Sequence, residues 1–77
     1  MAKLPKLTGK ELGKIIEKLG FIFDHQTGSH MILRQDHEPH RRVTVPNHKE
    51  IAKGTLLSIM REVGLSRDEF FKLYYGK

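Results

Sequence analysis

The stretch RRVTVP, residues 41–46, decides how this chain is read. Val43 and Val45 alternate with Arg42 and Thr44, the two-residue period of a strand with one apolar and one polar face. Pro46 cannot donate to a ladder and ends the strand. A strand of this kind needs antiparallel partners and a cover for its valine face. Both are found upstream. HMILRQ, residues 30–35, is a second strand, and Phe21 to Gln26, FIFDHQ, is aromatic and β-branched enough to be a third. Thr27, Gly28 and Ser29 carry the turn between them. DHEPH, residues 36–40, is a polar loop holding a proline. The three strands form a short antiparallel meander.

The cover for the apolar face comes from both ends of the chain. In LTGKELGKIIEKLGF, residues 7–21, Thr8 is a helix N-cap and Glu11 stands three residues on, the pattern of a capping box. Leu12, Ile15, Ile16 and Leu19 make one apolar stripe, and Gly20 supplies a left-handed stop. KGTLLSIMREVGL, residues 53–65, repeats the pattern with Leu56, Ile59, Met60 and Val63, and Gly64-Leu65 signals a Schellman ending. SRDEFFKLYY, residues 66–75, opens with a second capping box, Ser66 and Glu69, and carries Phe70, Leu73 and Tyr74 on one side. The order is α-β-β-β-α with a short C-terminal helix. The fold class is α+β, with helices on one face of the sheet and the other face uncovered.

That arrangement sorts the candidate chemistry by side. If Val43 and Val45 face the helices, so do Met31 and Leu33, while His30, Ile32, Arg34, Arg42 and Thr44 face out. A one-residue slip of register would reverse the assignment. His30 at the turn is then an imidazole held over an open sheet. Such a group, with its ordinary pKa near 6.5, takes a proton near neutrality. Ribose-directed RNA cleavage asks for such a base, together with cations near the phosphate. Spacing alone does not separate this role from that of an exposed strand histidine with no task.

Composition narrows the classes. The chain has 77 residues and no cysteine, so neither a disulfide nor a thiolate enters the account. A chain this short buries roughly 60–65% of its unfolded surface, which leaves no room for a deep pocket. One domain, residues 1–77, is expected. No apolar run reaches the ~20 residues of a membrane span, and Lys3, Pro5 and Lys6 interrupt any leader-like start. The expectation is a soluble, cytoplasmic protein with no membrane partner.

Fourteen basic residues stand against nine acidic ones, for a net charge of +5. The excess lies in the second half, where eight basic residues meet four acidic ones. An anionic partner follows as an expectation. Arg41, Arg42, Lys49 and Lys53 read as one basic strip able to hold phosphates. Lys53 also stands beside backbone amides of Gly54 and Thr55 at a helix start. The five histidines, at 25, 30, 37, 40 and 48, raise a metal question. His37 and His40 are three apart, but across a proline loop, and no Cys or fixed carboxylate completes a ligand set. No metal or other cofactor is expected. The aromatic residues are read as core rather than as stacking platforms.

Taken in order, LTGKEL, GF, GSH, RVTVPNH and KGTLLSIMREVGLSRDEF resemble the HicA toxins of bacterial toxin–antitoxin systems, from about Leu7 to Phe71. Each motif is weak alone; their joint order is specific. The resemblance implies a fold like that of double-stranded-RNA-binding domains. It implies an mRNA endonuclease that arrests growth, and a HicB antitoxin as partner. It also implies that the histidine of the glycine-serine-histidine motif, His30, is catalytic, with His48 matching a second histidine stretch of auxiliary role. Around His30, the substrate-binding candidates are Gly28, Ser29, Arg34, Arg42, Lys49 and Lys53. The competing reading is a non-catalytic basic module that binds RNA by shape or docks an antitoxin.

Overall fold

The structure is a computed structural model that describes residues 4–76. Helix α1 (Gly9–Glu17) is followed by strands β1 (Phe21–Thr27), β2 (His30–Gln35) and β3 (Arg42–Pro46), then helices α2 (Lys53–Val63) and α3 (Arg67–Tyr75). The sheet is antiparallel in the order β1-β2-β3, with β2 in the centre. The fold is α+β, and its element order is the one the sequence pattern implies.

Both capping boxes form. The Thr8 hydroxyl accepts from the Glu11 amide at 3.1 Å, while Glu11 Oε1 accepts from the Thr8 amide at 2.9 Å. Ser66 and Glu69 make the same reciprocal pair at the start of α3. These satisfy amides that the first turn of a helix leaves without partners. Helix α2 ends as a Schellman motif, with the Leu65 amide donating to the Met60 carbonyl at 2.8 Å and Gly64 at φ 74°.

The core is the single layer between sheet and helices. Leu12, Ile15 and Ile16 of α1 and Leu56, Ile59 and Met60 of α2 lie against Met31, Leu33, Val43 and Val45. Helix α3 packs back on this layer through Phe70, which is fully buried and stacks on Tyr74. Lys18, the C-cap of α1, donates from Nζ to the Leu73 carbonyl at 3.0 Å and ties the end of α1 to α3. The aromatic residues divide: Phe21 and Phe70 are core, whereas Phe23 is 50% and Tyr75 62% exposed.

Candidate functional site

The outer face of the sheet carries the site, and the pairing register assigns its side chains. His30 stands opposite Thr27 on β1 and Pro46 on β3; Ile32 stands opposite His25 and Thr44; Arg34 stands opposite Ile22 and Arg42. Met31, Leu33, Val43 and Val45 are buried beneath. Cross-strand pairs share a face, so His30, Ile32, Arg34, Arg42 and Thr44 all project away from the helices, as the alternation of β2 and β3 implies.

The turn that presents His30 consists of Gly28 and Ser29. Gly28 sits at φ 58°, a conformation that favours glycine, and two-residue hairpins with glycine first are a common turn for a twisted sheet. Gln26 Nε2 donates to the Gly28 carbonyl at 3.0 Å. The Asn47 amide donates to the Ser29 carbonyl at 2.6 Å, so the exit of β3 braces the same turn. His30 is exposed at the first position of β2. Among the described residues, the histidine rings hydrogen-bonded to protein groups are those of His25, His37 and His40.

A shallow depression runs across this face, lined by His25, Thr27, His30, Ile32, Arg42 and Thr44. It therefore brings His30 and Arg42 together. Arg34 shares the face but is turned elsewhere. Its guanidinium donates to the Gln35 carbonyl at 3.2 Å, lies 3.5 Å from His40 Nδ1, and has Nε 3.7 Å from Asp24 Oδ1.

The basic strip of Arg41, Arg42, Lys49 and Lys53 is divided. Arg41 and Arg42 stand at the start of β3, while Lys49 and Lys53 lie beyond its other end, because β3 is extended and separates them by about 3.3 Å per residue. Lys53 lines a different groove, with Lys6, Glu50, Ile51 and Leu56. His48 is also exposed past the end of β3, and its carbonyl accepts from the Gly9 amide at 2.9 Å. Helix α2 has Ala52 as its N-cap and no side-chain cap.

The histidine-rich loop is tied up locally. His37 Nδ1 lies 2.8 Å from Asp36 Oδ1, and His40 Nδ1 lies 3.1 Å from the Gln35 carbonyl. Among the described residues, no three His, Cys, Asp or Glu side chains converge as a metal site would require.

A family model described as the HicA toxin of bacterial toxin–antitoxin systems matches residues 9–65. The chain belongs to the HicA toxin family. The matched segment runs from the first residue of α1 through the whole sheet and α2, and includes the His30 turn. Membership implies an antitoxin partner. A search of curated proteins finds no match. Among the described residues no helix is long and apolar enough to cross a membrane.

Two residues of this HicA site do not follow from simple alternation. Phe23 pairs with Leu33 and His25 pairs with Ile32, so Asp24 is an extra residue, a β-bulge in β1. Strict alternation after Phe21 and Phe23 places His25 under the helices; the bulge turns it outward. Asp24 Oδ2 lies 2.9 Å from His25 Nδ1. That hydrogen bond, more than the nearby Arg42 and Arg34 charges, holds the Asp24 carboxyl below the usual aspartate range. The signal for it was a polar Asp-His pair interrupting an apolar strand.

Proposed function

We propose that this HicA chain is a toxin that cleaves mRNA without a metal ion, with His30 as the general base. The 2′-hydroxyl of a bound ribose gives its proton to the His30 imidazole, and the resulting oxygen attacks the adjacent phosphorus. Arg42, on the same depression, offsets the charge that develops on the phosphoryl oxygens. Gly28 allows the turn to approach the backbone closely, and Ser29 supplies a hydroxyl beside it. Arg34 contributes positive charge at the far end of the face. Lys49, Lys53 and His48, past the end of β3, would meet more distant phosphates of a long RNA. The products are a 2′,3′-cyclic phosphate and a 5′-hydroxyl, and DNA is spared because it lacks the nucleophile.

The observation that carries this reading is the exposed His30 at a braced turn, beside Arg42 on an uncovered face, in a member of a toxin family. The element order supports a double-stranded-RNA-binding-domain-like arrangement of the one domain. A HicB-like antitoxin that covered this face would silence the base, and a cytoplasmic location gives access to mRNA.

The test compares wild type with His30→Ala on a long single-stranded RNA in excess EDTA. Loss of a general base lowers the rate by about 10²–10⁴-fold. His30 is exposed, so the variant is expected to remain folded. Cleavage by His30→Ala at the wild-type rate overturns the proposal. RNA binding without cleavage by either protein favours a binding module, and inhibition by EDTA points to a metal.

A further inference from the structure

Cleavage by 2′-hydroxyl attack needs two proton transfers. His30 removes one proton; the departing 5′-oxygen must receive another. In an in-line displacement the attacking and leaving oxygens stand on opposite sides of phosphorus. A base positioned on one therefore does not serve the other in the same step.

We infer that His25 is the proton donor to the 5′-oxygen, held in place by Asp24. The inference rests on the ribonuclease reading above. Its ground is the bulge. Neighbouring residues of a regular strand point to opposite faces and cannot hydrogen-bond side chain to side chain over one of them. The extra residue in β1 lets Asp24 and His25 meet on the outer face, 2.9 Å apart. The carboxylate engages Nδ1, which fixes the ring and leaves Nε2 as the edge available to substrate. The His25 side chain is 54% exposed and that of Asp24 28%.

The placement relative to His30 fits the two roles. His25 pairs with Ile32 and Thr27 pairs with His30, so the two histidines are diagonal neighbours on adjacent strands. Diagonal Cα atoms are about 7–8 Å apart, with side chains able to reach between them. Both imidazoles line the depression that also contains Arg42. A phosphodiester laid across it has a base at one end, an acid at the other and a guanidinium alongside.

The charged groups around the pair are Asp24 on β1, His30 and Arg34 on β2, and Arg42 on β3. Asp24 carries the negative charge and directly contacts His25, which holds the ring in one orientation. A second Asp–His contact, Asp36 with His37, lies in the loop after β2 and does not line the depression.

The step balances without any co-reactant. The bond from O2′ to phosphorus forms and the bond from phosphorus to O5′ breaks. The 2′-hydroxyl proton ends on His30, and the His25 proton ends on O5′. Water then returns a proton to His25 and takes one from His30.

The test uses single-turnover cleavage of two short RNA substrates, one with the natural 5′-oxygen and one with a bridging 5′-sulfur at the scissile position. A thiolate leaves without being protonated. His25→Ala is expected to be slower than wild type by about 10²-fold or more on the oxygen substrate, and within a few-fold of wild type on the sulfur substrate. His30→Ala should be slow on both. Asp24→Asn should show a smaller loss on oxygen that sulfur also restores, and His37→Ala should match wild type on both. If His25→Ala is equally impaired on both substrates, or unimpaired on oxygen, His25 is not the acid. If wild type cleaves neither, the ribonuclease reading fails and takes this inference with it, an outcome distinct from the other two.

Discussion

Substituting Gly9 separates helix propensity from packing, because the two effects have opposite signs there. Gly9 is the first residue of α1, where alanine is ordinarily the better helix former by up to about 1 kcal/mol. The surroundings forbid the gain. A Cβ on Gly9 overlaps the Pro46 carbonyl oxygen and stands 2.9 Å from Asn47 Cα, both of them backbone atoms that cannot rotate aside. Forcing the chain apart costs roughly 1–3 kcal/mol, as overpacking generally does. It also strains the bond from the Gly9 amide to the His48 carbonyl, worth about 1 kcal/mol net. The expected balance is roughly 1–3 kcal/mol of destabilisation for Gly9→Ala. Gly54, also in a first helical turn, has nothing within 4 Å of such a Cβ. Gly54→Ala should be neutral or stabilising by up to about 1 kcal/mol. Urea unfolding followed by circular dichroism reads both; with a slope near 1 kcal/mol/M, the midpoints should move apart by roughly 1–4 M. A Gly9→Ala midpoint at or above that of wild type refutes the reasoning. Since Asn47 also braces the His30 turn, folded Gly9→Ala should cut RNA more slowly than its stability alone explains.

Phe70→Ala removes a fully buried ring and should cost about 3–5 kcal/mol, a large share of the ~4–12 kcal/mol expected for a domain of this size. Tyr75→Ala, at an exposed position of the same helix, should stay within about 0.5 kcal/mol; equal urea midpoints for the two variants would show that α3 does not pack as described. Glu69 is held below the usual glutamate range, chiefly by the Ser66 amide and then by its hydroxyl. Its folded pKa is depressed, so its contribution is present above the unfolded value of about 4.3 and is lost as pH falls through the lower folded value. Acid titration of helicity should lose part of this dependence in Glu69→Gln, and an unchanged profile would remove the cap from the account.

The helices were legible because their signals are local and redundant. Thr8 with Glu11 and Ser66 with Glu69 each fix a start, and Gly64 with Leu65 fixes an end. The orientation of β2 and β3 was legible because Val43 and Val45 leave a single face to bury, and a slip would expose them. The division of the basic strip was not. Arg42 and Lys49 are close in sequence, but an extended strand and a change of direction after Pro46 lie between them. The role of Gly9 was equally hidden, since its constraint comes from Pro46 and Asn47, far away in the chain.

The bulge at Asp24 is the instructive case. The ladder does not need this residue. With Asp24 deleted, Phe23 would still face Leu33 and His25 would still face Ile32, and the alternation would be regular. Its carboxylate is not buried; its partners are His25, Arg34 and Arg42, all on the outer face. An inserted residue that interrupts pairing has a cost in ladder hydrogen bonds. Among the described residues, no hydrogen bond or ion pair of Asp24 on the helix side offsets it. The contacts that Asp24 makes among the described residues lie on the open face, where it sets a carboxylate against an imidazole two rows from His30 and beside the Arg34 guanidinium. Local rules failed in β1 at the point where the strand departs from what folding alone asks of it, and that point adjoins the candidate base.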